Sequence, residues 1–337
     1  DLVELAERLG APVTFGRNAS GVFPSNHHLC AGAFNPYPNN PFPLELLEQS
    51  DLLLAMGMRG DTASAEMLLA RAPAECIFLV PEGEDPLVQG ASLTAAVDNK
   101  ALLSLLKESI PSRKSGSSGW ASQRMAEVKG LYRRGLEQQL ESYRGHAPLH
   151  FGLALQALVP LLDHDALLVG DIGTHGVWAS WFFELYGTQT YLEPGSWGAM
   201  GFALPAAIAG KLVDPQRQVV GITGDGAFLM SCSDFGTALE LGTKIVLVVL
   251  NDRQYGMIYR LQTDDFGRTI GTELRPPDLV KFAESYGAVG IRVEDQGELE
   301  QAYRQALEAD APVIVDVVCG YGFPHPSPTD WLRGDVG

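Results

Sequence analysis

Apolar runs of strand length alternate with helical segments along most of this chain, and that alternation limits the fold more than any other feature. LVELAERLG reads as a helix closed by Gly10, APVTF as a strand, PLELLEQS as a helix and DLLLAMG as a strand. ASAEMLLARA, ECIFLV and KALLSLLKES continue the series as helix, strand and helix. This βαβα order predicts a parallel sheet covered by helices on both faces. Residues 110–119, IPSRKSGSSG, interrupt it with a Ser/Gly/Pro stretch that reads as a linker, and a polar helical connector follows. A second α/β series begins near Pro148, with DALLVGDIG, QVVGITGDG, KIVLVVLND, VGIRVED and PVIVDVVCG as strands. The expected fold is α/β: two doubly wound, Rossmann-like parallel-sheet domains joined by a linker. The expected boundaries are residues 1–110, a connecting part at 111–147, and 148–337.

Length and charge narrow the function classes. A chain of 337 residues suits two domains. The formal charge of −17 argues against nucleic acid as a partner, because a nucleic-acid surface needs a basic footprint. No apolar run approaches the roughly 20 residues of a membrane span, so no membrane partner is expected. Cys30, Cys76, Cys232 and Cys319 are far apart and form no CxxC pair, which fits buried thiols in a reducing cytoplasm better than a metal knuckle.

Ligands of parallel α/β sheets bind at the carboxyl ends of the strands. Three polar or Gly-rich loops fall at such ends: GDIGTHG (170–176), GDGAF (224–228) and NDRQYG (251–256). Asp225 and Asp252 are expected to end neighbouring strands one crossover apart. Two buried like charges need a cation between them, or one must protonate. A hard divalent ion such as Mg²⁺ suits two carboxylates, and it completes its shell with water and phosphate oxygens. Gly224 and Gly226 would let backbone amides approach a phosphate, with a helix N-terminus aimed at it.

Gly-Asp-Gly, then 24 residues read as helix and strand, then Asn-Asp, resembles the signature of thiamine-diphosphate-dependent enzymes. The surrounding segments are similar to the branch that holds acetolactate synthase, benzoylformate decarboxylase and pyruvate oxidase. EPGSWGAMGFALPAAIAGKL (193–212) looks like the loop and helix under the pyrimidine ring, and DIGTHGVWAS (171–180) like the diphosphate turn. RLGAPVTFGRNASGVFPSNHHLCAGAF (8–34) looks like the middle domain.

The resemblance implies thiamine diphosphate and Mg²⁺ as cofactors. Asp225, Asp252 and the Gln254 carbonyl would bind the metal. Gly173, Thr174, His175, Gly224, Gly226 and Ala227 would approach the diphosphate, with Tyr255, Gly256 and Met257 completing the cofactor contacts. The Gly198 carbonyl and the Met200 amide would meet the aminopyrimidine. The Met200 side chain would sit between the two rings and hold their bent conformer, in which the cofactor acts as its own base. Met257, Ile258 and Leu261 would face a 2-keto acid substrate. The activity implied is that of a 2-keto acid decarboxylase or carboligase of acetolactate-synthase type. The alternatives are a non-ligating decarboxylase of benzoylformate type and an inactive cofactor-binding module. A nucleotide-binding α/β protein is disfavoured, because no GxGxxG follows a strand.

Departures from the family shape further expectations. The family's pyrimidine-binding domain, with the glutamate that activates the ring, has no counterpart here, and neither does a strand usually found before the helix matching 2–10. The chain is therefore expected to be a fragment, inactive alone, that works with a pyrimidine-binding domain or second subunit in a homodimer or homotetramer. Ile258 stands where pyruvate decarboxylases are acidic, and Leu261 where acetohydroxyacid synthases have Trp. MGMRGD (56–61) resembles a flavin-contacting segment of some members. NPYPNNPFP (35–43) lacks their Gly-His-Gly pattern, and IFLVPEGED (77–85) departs from their usual strand, so FAD is disfavoured.

Overall fold

The computed structural model describes residues 1–16, 19–34, 41–59, 62–73, 75–111, 120–183 and 190–320. They fall into two compact units, one over residues 1–135 and one that begins at Leu136.

The first unit contains α1 (Leu2–Leu9), β1 (Val13–Gly16), β2 (Cys30–Phe34), α2 (Phe42–Glu48), β3 (Leu52–Met56), α3 (Ala63–Leu69), β4 (Glu75–Pro81), β5 (Leu93–Val97) and α4 (Asn99–Ser109). Gly10 ends α1 as its position suggests: at φ 63° it adopts the left-handed cap and donates to Ala6 and Glu7. The Thr62 hydroxyl caps α3, and the Asp98 carboxylate caps α4 by accepting from Lys100 and Ala101. All pairings are parallel, but the strands form two separate sheets, β1–β2 and β3–β4–β5. Strands β2 (CAGAF) and β5 (LTAAV) escaped the sequence reading, because short, Ala-rich runs carry little strand signal. Most of the expected linker, part of NPYPNNPFP and the end of MGMRGD lie outside the described residues.

Helix α5 (Trp120–Glu141) contributes Met125 and Val128 to the first unit's core, among Phe15, Phe23 and Phe42. Its last turns contribute Leu136 and Leu140 to the second unit.

The second unit continues with α6 (Phe151–Leu158), β6 (Leu167–Gly170), α7 (Thr174–Phe182), β7 (Tyr191–Leu192), α8 (Ala203–Val213), β8 (Val219–Gly224), α9 (Asp225–Ser231) and α10 (Phe235–Glu240). It then runs through β9 (Val246–Asn251), α11 (Gly256–Phe266), α12 (Leu279–Ser285), β10 (Val289–Val293), α13 (Leu299–Glu308) and β11 (Val313–Val318). Its six strands form one parallel sheet in the order β10-β11-β9-β8-β6-β7.

Period-two alternation divides each central strand between two cores. Val246, Val248 and Leu250 pack with α6, α7 and α13 on one face. Leu247 and Val249 pack with α8, α10 and α12 on the other. Both faces are covered, so these strands read as unbroken apolar runs. From β6 the chain goes outward to β7 and then returns past β6 to β8, so strand order reverses there. Such a switch point opens a crevice at the carboxyl ends of the strands. The register aligns those ends: Gly170 pairs with Ile222, Gly224 with Leu250, and Asn251 with Val318.

Two boundaries differ from the sequence reading. β8 stops at Gly224, so Asp225 is the first residue of α9 and not the last of a strand. An extended Gly224 (φ −94°, ψ 163°) and an acidic side chain in the first turn favour that early start. The crossover from β8 to β9 also holds two short helices, α9 and α10, instead of one.

Phe228 of α9 ties the loop after β8 to the core. It is buried edge-on against Phe282, with ring centroids 5.5 Å apart at 87°. Phe228→Ala is expected to cost about 3–5 kcal/mol, read as a lower urea midpoint with an unchanged slope.

Candidate active site

Three loops meet at the aligned strand ends, and close packing at glycines holds them together. The His175 ring lies against two of them: a Cβ at Gly173 would stand 2.6 Å from it, and one at Gly224 would stand 3.0 Å from it. A Cβ at Gly226 would stand 2.7 Å from the Tyr255 ring, which brings in the loop after β9. Asp225 and Asp252 are thus placed at the ends of adjacent strands, each one residue past its strand.

Asp225 is 1% exposed, and its Oδ2 has no hydrogen-bond partner among the described residues. Burial pushes its carboxyl up to about 6, against the pull of the Gly226, Asp225 and Arg253 amides. Burial first, and the Asp225 charge second, push the half-buried Asp252 up to about 7, although the Gln254 side chain and amide donate to it. Two carboxyls that resist ionisation side by side, one with an orphaned oxygen, form a donor set that a divalent cation would satisfy. No group of three His, Cys, Asp or Glu side chains able to hold a metal occurs among the described residues. A third protein ligand would therefore come from the backbone.

The turn after Asp252 leaves such a group. Arg253 has φ 58°, the left-handed region, and no other non-glycine among the described residues has positive φ. Its amide serves Asp225, and its carbonyl accepts from Leu274 at 2.8 Å. Tyr255 N–H donates to Thr272 O at 2.8 Å. Gln254 faces Glu273 in this antiparallel bridge, but the ladder bonds run from its two neighbours and do not use its carbonyl.

Of the remaining residues singled out from the sequence, Thr174 is buried at the start of α7, its Oγ1 without a hydrogen-bond partner among the described residues, and Ala227 is buried beside Asp225. Gly198 is left-handed at φ 62° and lies near Ile172, and Met200 is half-buried two residues on. Gly256 is buried at the start of α11, and Met257 is half-buried. Ile258 and Leu261 are exposed on that helix.

Three further residues shape this site and were not singled out from the sequence. Asp316, 1% exposed on β11, accepts from Asn251 Nδ2 at 2.8 Å and from Arg292 Nη2 at 3.0 Å. It therefore braces the strand end that carries Asp252. A lone acid within VIVDVV was its signal. Asp171 accepts four hydrogen bonds beneath the loops, and its signal was an acid directly after an apolar strand. Arg253 gave none, because Arg is not a residue type that marks a left-handed turn.

The sign of the pH dependence follows from the raised carboxyls. Their contribution to stability is complete below the unfolded-state value near 4 and is lost as pH rises through about 6 to 7. Metal-free protein should lose stability across that window, and Mg²⁺ should restore most of it at the upper end. Asp225→Asn should raise metal-free stability at pH 8 by about 1–3 kcal/mol and remove the Mg²⁺ response. Urea unfolding with EDTA or Mg²⁺ measures both.

The model of the thiamine pyrophosphate enzyme C-terminal TPP-binding domain matches residues 171–317, and that of the thiamine pyrophosphate enzyme central domain matches residues 1–79. An acetolactate synthase of Bacillus subtilis is 39% identical over 160 residues, 48% of this chain and 28% of that protein. An acetolactate synthase large subunit of Corynebacterium glutamicum is 30% identical over 332 residues, 95% of this chain and 52% of its own length. A probable acetolactate synthase large subunit of Methanococcus aeolicus is 27% identical over 331 residues, covering 94% and 55%. The chain spans about half the length of the large subunits it matches.

Proposed function

Because the chain belongs to the thiamine pyrophosphate enzyme family, through its central and C-terminal cofactor-binding domains, we propose that the loops after β6, β8 and β9 hold thiamine diphosphate and one Mg²⁺ for an acetolactate-synthase-like reaction of 2-keto acids. The observation that carries this reading is the pair Asp225 and Asp252 at adjacent strand ends, both resisting ionisation, with Asp225 Oδ2 orphaned.

Asp225, Asp252 and the Gln254 carbonyl would ligate the metal. Gly173, Thr174, His175, Gly224, Gly226 and Ala227 would line the diphosphate side, where the buried, unpartnered Thr174 hydroxyl supplies a donor. Gly198 and Met200 would orient the aminopyrimidine, and Tyr255, Gly256 and Met257 would close the cofactor contacts. Met257 and the exposed Ile258 and Leu261 would present an apolar helix start to the substrate. When bound, thiamine diphosphate supplies the electron sink for keto-acid decarboxylation, and the chain's residues bind and orient it.

The relatives' names support a carboligase that condenses two keto acids over a decarboxylase that releases an aldehyde. We keep residues 1–110, 111–147 and 148–337 as the proposed domain boundaries, although the compact units divide within the connecting part, at 135/136. A pyrimidine-binding domain, in the same chain or a second subunit, would act on the far side of the ring. Trp197 at 91%, Phe266 at 71% and Ile270 at 84% exposure suit burial against that partner in a homodimer or homotetramer. Free thiols at all four cysteines suit the cytoplasm.

Calorimetric titration with thiamine diphosphate tests the reading. Binding should require Mg²⁺, and Asp225→Ala should weaken it at least about 10-fold. Pyruvate should then be consumed, with acetolactate as product, once a pyrimidine-binding domain is present. Mg²⁺-independent binding, or full affinity in Asp225→Ala, contradicts it.

A further inference from the structure

Asp171 lies immediately after β6 and is 1% exposed. Its Oδ1 accepts from the Ile172 amide at 2.9 Å and the Gly201 amide at 3.0 Å. Its Oδ2 accepts from the Ala203 amide at 3.0 Å and shares the Thr223 hydroxyl, 3.2 Å away, with the Gly224 carbonyl, also at 3.2 Å. A carboxylate offers about four acceptor directions, and all are taken here by donors from three different segments. Ala203 is the first residue of α8, whose N-cap Phe202 supplies no side-chain bond, so Asp171 satisfies an otherwise orphaned helix amide from a distant strand. Thr223 directly precedes Gly224 and Asp225. Gly201 directly follows Met200 and packs closely on α9, where an added Cβ would stand 3.2 Å from Met230 Cβ.

We propose that Asp171 is a positioning residue that fixes the spacing between the segment carrying Gly198 and Met200 and the loop carrying Gly224 to Gly226. One carboxylate fastens both segments to the end of β6, so they cannot move apart without leaving buried donors unpaired. A ligand that spans both segments meets a gap already set to its length. A ligand that touches only the metal and diphosphate loop gains nothing from the clamp. The inference rests on the thiamine diphosphate reading for the identity of the spanning ligand.

The test compares two ligands in Mg²⁺: thiamine diphosphate, which spans both segments, and inorganic pyrophosphate, which occupies only one. Asp171→Asn keeps the shape of the side chain but turns one acceptor into a donor facing donors. It should weaken thiamine diphosphate at least about 10-fold and pyrophosphate less than about 2-fold. Equal losses for both ligands, or none for either, overturn the proposal, because a merely structural residue would not change the ratio. Amide hydrogen exchange on the cofactor-free wild-type protein gives a second readout that needs no variant to fold. The Gly201 and Ala203 amides should already be protected. Free exchange at both until cofactor is added contradicts a pre-set clamp. Wild-type protein that binds neither ligand contradicts the cofactor reading instead, and the exchange result then judges the clamp alone.

Discussion

Two adjacent carboxyls that burial holds back from ionising, the buried Asp225 and the half-buried Asp252, are the constraint around which the second unit is arranged. Asp225 and Asp252 lie side by side at the ends of β8 and β9, and burial already opposes the charge on each. Left alone, such a pair ionises only at the expense of folding stability. Among the described residues, no Lys or Arg charge offsets this cost. Arg292 instead serves Asp316 and Asp278. Amides hold the two carboxyls in place, and one oxygen of Asp225 stays unsatisfied. A divalent cation would turn this arrangement from a liability into a binding site, as proposed above.

The rest of the unit keeps that pair in register. Parallel strands with both faces covered bring Gly170, Gly224 and Asn251 to one edge of the sheet, and the reversal of strand order opens the crevice between β6 and β8. His175 against Gly173 and Gly224, and Tyr255 against Gly226, leave no slack between the loops. Arg253 pays in backbone strain, about 1–3 kcal/mol for a non-glycine in the left-handed region. In return its amide reaches Asp225 and its turn leaves the Gln254 carbonyl unused by the bridge to Glu273.

Much of this was legible in the sequence. Apolar runs ending in Gly-Asp-Gly and Asn-Asp located both carboxylates and the three loops, because strand ends in a parallel sheet follow from the alternation itself. The Gly10 stop of α1 was equally readable. Asp171 and Asp316 were visible only as acids in or just after apolar strands, and their roles were not, since these depend on donors that come from 30 or more residues away. Strands β2 and β5 were hidden by their Ala-rich composition. The start of α9 at Asp225 shifted by one residue because an extended glycine and an acidic first turn outweighed the continuation of the strand.

In the arrangement proposed above, Asp225 and Asp252 share one divalent ion. Manganese is a close substitute for magnesium and scatters anomalously. Crystals grown with Mn²⁺ and thiamine diphosphate should show one anomalous peak at coordination distance, about 2.0–2.2 Å, from a carboxylate oxygen of each residue and from the Gln254 carbonyl. A peak bound to only one of the two carboxylates, or none between them, would contradict it.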